Sequence, residues 1–232
     1  MLDKRSFDSL GGANHGWLNA KHHFSFASYY DPKRMGWGAL RVWNDDVIQS
    51  QTGFPPHPHD SMEIITYVRT GAISHRDSMG NSGRTGAGDV QVMSAGSGIR
   101  HSEYNLEDED TTLFQIWIMP EIQGGEPRWD AKQFPKGERA DAWDILASGY
   151  DSDDGALFIR AKARVLGASL SAGKSLTYTP APGRHQYLVV NTGKARVGDI
   201  VLYARDGLAI KDEAEILITA DEDSELIMTD TL

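Results

Sequence analysis

The chain contains no cysteine. Disulfide frameworks, thiolate zinc sites, cysteine-ligated iron–sulfur clusters and cysteine nucleophiles are excluded at once, so a protein-held metal must rest mainly on His, Asp and Glu. Long apolar runs are missing as well. No stretch approaches the ~20 residues of a membrane span, and Met1-Leu2-Asp3-Lys4-Arg5 leads into nothing like a signal sequence, so a cytoplasmic protein with no membrane partner is expected. Positive charge is in deficit: 23 Lys and Arg stand against 33 Asp and Glu, for a net charge of -10. Such a chain repels phosphate backbones, and direct nucleic-acid binding is not expected. What is present is an ordinary globular composition, 40% hydrophobic over 232 residues, enough for one large domain or two small ones.

Long helical periodicity is nearly absent. Short segments rich in β-branched and aromatic residues recur instead, such as Leu40 to Trp43, Ile64 to Val68, Val90 to Met93 and Leu113 to Ile118, with Gly-bearing turns at Thr70-Gly71, Gly86-Ala87-Gly88 and Gly96-Ser97-Gly98. This pattern predicts an all-β sandwich or barrel. Gly86-Ala87-Gly88 lacks both a following helix and a Gly-Lys-Ser/Thr ending, so it reads as a strand turn and not as a phosphate loop. After Met119-Pro120 the β pattern fades through Gly124, Gly125, Pro127 and Pro135. That shift predicts an N-terminal domain over 1–122, a linker over 123–139 and a second β domain over 140–232. Within the second domain a short helix is expected from Ala140 to Ser148, because Trp143, Leu146 and Ala147 share one helical face. Glu63 to Gly71 and His185 to Gly193 match in length, in apolar positions and in ending on Thr-Gly, a faint internal repeat.

Chemistry concentrates in two places. His57-Pro58-His59 sets two imidazoles at i and i+2, on one face of an extended segment, and His101-Ser102-Glu103 offers an imidazole and a carboxylate at the same spacing. Two facing strands would present three nitrogens and one oxygen to a single ion, leaving coordination positions open. Imidazole suits zinc, copper, iron and nickel. Pro55, Pro56 and Pro58 keep the first segment extended. His15, His22, His23 and His75 lack a ligand-pair context and read as structural or surface residues. Trp17, Phe24, Phe26, Trp37, Trp43, Phe114 and Trp117 read mostly as core.

These residues resemble the cupin superfamily, whose first motif is matched by Gly53, His57, His59, Glu63 and Gly71 and whose second is matched by Gly88, Gly96, His101 and Asn105. More closely, the chain is similar to the pirin family and its bacterial quercetin 2,3-dioxygenase-like members. The matching stretches are Asn14-His15-Gly16-Trp17-Leu18, Phe24-Ser25-Phe26-Ala27, Tyr29-Tyr30-Asp31-Pro32, His57-Pro58-His59, Asp77-Ser78-Met79-Gly80-Asn81, and Met93-Ser94-Ala95-Gly96 through Asn105. Gln115 to Pro120 closes them.

The resemblance implies a bicupin, two β-barrel (jelly-roll) domains face to face, with one divalent metal in the N-terminal barrel. It implies that His57, His59, His101 and Glu103 hold the ion, typically Fe(II), with Ni, Co, Mn, Cu or Zn as other occupants, and that Glu103 acts as catalytic base. In many other cupins the position of Glu63 supplies the carboxylate ligand, so here Glu63 is expected to support the site or the fold. The C-terminal barrel is expected to carry no metal, since only His185 follows His101 and the repeat places Thr179 and Ala181 where His57 and His59 would be. The activity implied is metal-dependent cleavage of a flavonol such as quercetin, or a related phenol, with O2 to give a depside and carbon monoxide. The alternative is a redox-sensing regulatory protein that binds a protein partner through the state of its iron.

Overall fold

Glu63-Ile64-Ile65-Thr66-Tyr67-Val68 is apolar on consecutive positions, which suits a strand covered on both faces. The computed structural model, which describes the backbone of residues 1–232 and every side chain except those of Lys136 and Glu138, shows what covers them. The strands form two seven-stranded and two four-stranded sheets, and no α-helix occurs among the described residues. One large sheet is centred on Leu40–Ile48, Glu63–Thr70, Val90–Ser94 and Thr111–Ile118, and the other on Arg164–Leu170, His185–Thr192, Gly207–Lys211 and Ser224–Thr231. In the N-terminal half the companion small sheet contains Thr52–His59, Ala72–Asp77, Ser82–Gly86 and Ile99–Asn105. In the C-terminal half it contains Ser175–Tyr178, Lys194–Val197, Ile200–Tyr203 and Ile216–Ala220. This is the expected all-β bicupin.

Strand parity distributes the core. Ile65, Tyr67, Val92, Phe114 and Ile116 leave one large sheet to pack with Val165, Tyr187, Val189, Ala209 and Ile227 of the other, forming the seam between the barrels. Their sequence neighbours point the opposite way. Val68 and Ile64 join clusters on the barrel side of the N-terminal sheet, while Leu166, Leu188, Val190, Leu226 and Met228 fill the C-terminal barrel. Each such fully buried side chain contributes about 1.5–3 kcal/mol. The seam also carries charge. Asp45, fully buried, accepts from Arg69 Nη1 at 2.9 Å and from Arg205 Nε at 2.5 Å, and Arg69 Nε donates to Asn191 Oδ1 at 2.5 Å, tying the two halves together.

The internal repeat is structural. Glu63–Thr70 and His185–Thr192 hold equivalent central places in the two large sheets, and each ends at a glycine with positive φ, +72° at Gly71 and +83° at Gly193. A Cβ at Gly71 would lie 2.4 Å from Thr111 Oγ1, and one at Gly193 would lie 2.2 Å from the Asp223 carbonyl oxygen. Both turns therefore require glycine for conformation and for space.

Two local expectations are corrected. The segment expected to be helical, Ala140 to Ser148, instead supplies a strand, Asp144–Ser148, paired antiparallel with Arg164–Leu170. A register shift between Ile145 and Ala147 puts the consecutive residues Leu146 and Ala147 into the same interbarrel core, which imitates a helical face in so short a window. The stretch with little β pattern also contains a strand: Arg128–Lys132 pairs with Val90–Ser94 at the edge of the N-terminal large sheet. At the other end of the chain, Leu2–Arg5 pairs with Gly207–Lys211 in the C-terminal large sheet. No helix among the described residues is long and apolar enough to cross a membrane.

Candidate metal centre

The site is built on the small N-terminal sheet, where Ile99–Asn105 lies between Thr52–His59 and Ala72–Asp77. Across one ladder His101 stands opposite His57, and across the other it stands opposite Asp77; Glu103 stands opposite Phe54 on one side and His75 on the other. The register changes between His101 and Glu103, so that Pro55 and Pro56 oppose the single residue Ser102. Proline has no N–H to give to a ladder and is at home in such a bulge. The consequence reaches the cavity. With a strict period of two, Phe54 and His57 would point to opposite faces, but the bulge lets both line the same space.

The structure brings His57, His59 and His101 together, with one candidate ligand atom from each lying within 4.8 Å of the others. Their ring centroids are separated by 4.4 Å (His57 to His101), 4.9 Å (His57 to His59) and 5.0 Å (His59 to His101). Glu103 falls within the same reach of His101 and of His75, and it lines the cavity that His57 and His59 also line. Glu63 belongs to neither group. It shares strand parity with Ile65 and Tyr67, accepts from Ser94 Oγ at 2.6 Å, and is pushed upward in pKa by burial.

A cation fits these donors. His101 is 3% exposed, yet neither of its ring nitrogens has a hydrogen-bond partner among the described residues. Burial, followed by the neighbouring His57 and His75, holds its pKa down to about 3, and burial, followed by His101 and His57, holds His59 down to about 4. Both are therefore neutral at pH 7, the state in which an imidazole lone pair can bind a metal. His57 Nδ1 lies 2.8 Å from the Pro55 carbonyl oxygen, a contact that places the proton on Nδ1 and frees Nε2. Glu103 accepts from Gln91 Nε2 at 2.7 Å and Gln115 Nε2 at 3.1 Å, and Thr66 Oγ1 lies at 3.3 Å. Those partners are themselves held, since Thr85 Oγ1 donates to Gln91 Oε1 and Trp117 Nε1 to Gln115 Oε1. The carboxylate is thus oriented by neutral donors.

A cavity of about 220 Å³ opens beside the cluster, with Phe26, Phe54, Trp117, Asn44, Asp46, His15 and His22 in its wall. A larger and more open groove, about 730 Å³, runs over the outer face of the small sheet past Arg76, Arg100 and Tyr104; it meets His101 but not His57, His59 or Glu103.

Several of these residues were not legible as site residues. His75 reads as structural in the sequence, yet it joins a candidate ligand group, with Asp77 Oδ2 3.1 Å from its Nε2 and Trp129 stacked on its ring at 4.9 Å. The i, i+2 spacing of His75 and Asp77 was the available signal. Asp46, His22, Gln91 and Gln115 gave none, because only the folded sheet brings them to the cavity or to Glu103.

A bicupin whose N-terminal barrel holds three converging imidazoles and a buried carboxylate, and whose C-terminal barrel is packed with aliphatic side chains, defines a metal-competent cupin of two unequal halves. Comparison with known proteins narrows the class. The Pirin family profile matches residues 4–118, and the profile described as quercetinase C-terminal cupin domain matches residues 145–231. The chain is 64% identical over 230 residues to a pirin-like protein of Caulobacter vibrioides, covering 99% of each. It is 43% identical over 231 residues to the quercetin 2,3-dioxygenase of Escherichia coli K12, covering 99% of this chain and 98% of that one. Its structure superposes on the bacterial pirin YhhW of Escherichia coli in complex with nickel(II) with a TM-score of 0.94 at 43% identity, covering 100% of this chain and 99% of the other. The chain belongs to the pirin family.

Proposed function

We propose that the protein is a metal-dependent dioxygenase that cleaves flavonols such as quercetin with O2 to a depside and carbon monoxide. The observation that carries this reading is the juxtaposition of the His57, His59, His101 and Glu103 cluster with an aromatic-walled cavity. His57, His59, His101 and Glu103 would hold one divalent ion, by the family resemblance Fe(II), although nickel and copper bind such donors more tightly. That ion supplies Lewis acidity and one-electron chemistry to a bound phenolate and to O2.

The chain's own residues do the rest. Glu103 accepts the proton of the substrate 3-hydroxyl, raising electron density on the ring to be opened. Gln91 and Gln115 keep that carboxylate aimed while its charge changes. Phe54, whose ring lies 6.0 Å from that of His57, and Trp117, edge-on to His59 at 5.0 Å, flank a flat substrate and keep water from the reacting carbons. Nickel in the related YhhW structure and the name of the Escherichia coli relative support the reading.

The test is oxygen uptake and carbon monoxide release by protein reconstituted with iron without air and then given quercetin, other flavonols and O2. Metal-dependent formation of both signals is expected. Absence of turnover with every flavonol, together with a change in partner affinity between Fe(II) and Fe(III), would replace catalysis with the regulatory reading.

A further inference from the structure

From Trp43 to Asp46 successive side chains alternate between the seam and the cavity, and the two adjacent aspartates have opposite fates. Asp45 faces the seam and is held by Arg69 and Arg205. Asp46 faces the cavity. Its cross-strand neighbours are Leu113 and Ala20, neither of which offers a polar side chain. It is 3% exposed, and its Oδ1 has no hydrogen-bond partner among the described residues. Other polar groups in the same wall are engaged: Asn44 Oδ1 lies 2.8 Å from His22 Nδ1, and Gln115 bonds Glu103 and Trp117. Asp46 also belongs to neither candidate ligand group. A buried polar atom without a partner lowers stability, so such a group in a cavity wall points to a ligand that completes it.

We infer that Asp46 is a substrate-binding residue, whose carboxyl hydrogen-bonds a hydroxyl of an aromatic ligand and so selects polyhydroxylated rings over rings bearing one oxygen. The inference rests on the cavity being the site for hydroxylated aromatic substrates, as proposed above. It adds a second anchor besides the metal cluster. Phe26, Phe54 and Trp117 can hold any flat ring, but they cannot distinguish hydroxylation patterns, whereas a desolvated hydrogen-bonding group can.

The test uses full-length nickel(II)-loaded protein without air, titrated calorimetrically with quercetin and, in parallel, with 4-nitrocatechol, which presents two adjacent hydroxyls on one ring. Asp46→Ala and Asp46→Leu should bind both probes at least about tenfold more weakly, while Asp46→Asn, which keeps a carbonyl acceptor and adds a neutral donor, should stay close to the original affinity. Unfolding of the ligand-free variants is measured alongside. Asp46→Leu should be at least as stable as the parent, because it removes an unsatisfied group, whereas a merely structural aspartate would show the reverse. Unchanged affinity of Asp46→Ala and Asp46→Leu for both probes would overturn the inference while leaving the flavonol reading intact. Binding of 4-nitrocatechol that depends on Asp46, with no binding of quercetin, would support the inference and sink the flavonol reading. Failure of the parent protein to bind either probe would overturn both.

Discussion

His57 and His101 face one another across an antiparallel ladder with their ring centroids 4.4 Å apart. His101, buried with both ring nitrogens unpartnered among the described residues, loses hydration without gaining a protein partner in return. A bound cation restores that balance. Replacing His101 by Ala should therefore reduce the metal content from one ion per chain to well below stoichiometry, while leaving the metal-free protein folded with little change in stability. Elemental analysis and denaturant unfolding of both forms check this; a stoichiometric ion in His101→Ala would mean that the cluster is not the site.

Glu103 and Glu63 separate by surroundings. Glu103→Gln keeps the shape but cannot accept a proton, so flavonol turnover should be abolished and metal retention weakened. Glu63→Gln touches the Ser94 contact and the hydrogen bond from the Arg160 backbone, away from the imidazole cluster, and should cost about 1 kcal/mol of stability with activity retained. Activity assays and urea titrations of the two variants decide the matter, and the opposite pattern would transfer the ligand role to Glu63.

The seam should respond to loss of a single guanidinium. Arg69 bonds Asp45 and Asn191 and lies over the Phe114 ring at 5.0 Å. Arg69→Met leaves the fully buried Asp45 with Arg205 as its remaining charged partner, and a loss of about 3 kcal/mol is expected. A variant with an unchanged denaturation midpoint would show that the ion pair merely offsets its own desolvation.

Acid should destabilise the metal-free protein. His23 is buried against Tyr187, its Nδ1 2.8 Å from the phenolic oxygen, and its pKa is held well down, first by burial and then by Arg5; His59 and His101 are held down to about 4 and about 3. In the unfolded chain these imidazoles titrate near about 6.5. Below that pH the unfolded state binds protons that the folded state refuses, so stability is fully present above about 6.5 and falls as the pH drops toward the folded values. Unfolding free energies at pH 7.5 and pH 5 should show the fall, and His23→Gln should reduce it; a flat profile would contradict the buried neutral imidazoles.

The all-β class was readable in apolar strands broken by glycine turns, and two i, i+2 pairs marked His57, His59, His101 and Glu103 as candidates. The pairing of two barrels and the preference for Glu103 over Glu63 came instead from the resemblance to cupins and pirins, with the nine-residue repeat only hinting at a second barrel. The expectation that the C-terminal barrel carries no three-His site came from counting histidines, since only His185 follows His101. The strand at Asp144–Ser148 was not readable, since a bulge and a five-residue window make a doubly buried strand look helical. Strand parity did not carry from His57 and His59 to Glu63, because a turn separates the two strands and resets which face each residue meets. Tertiary structure alone decided that Asp45 meets two arginines while Asp46 meets an aromatic cavity, and that Gln91 and Gln115 arrive at Glu103 from two other strands. Those contacts join residues distant in the chain, and their identity depends on sheet order and register, which local sequence pattern does not encode.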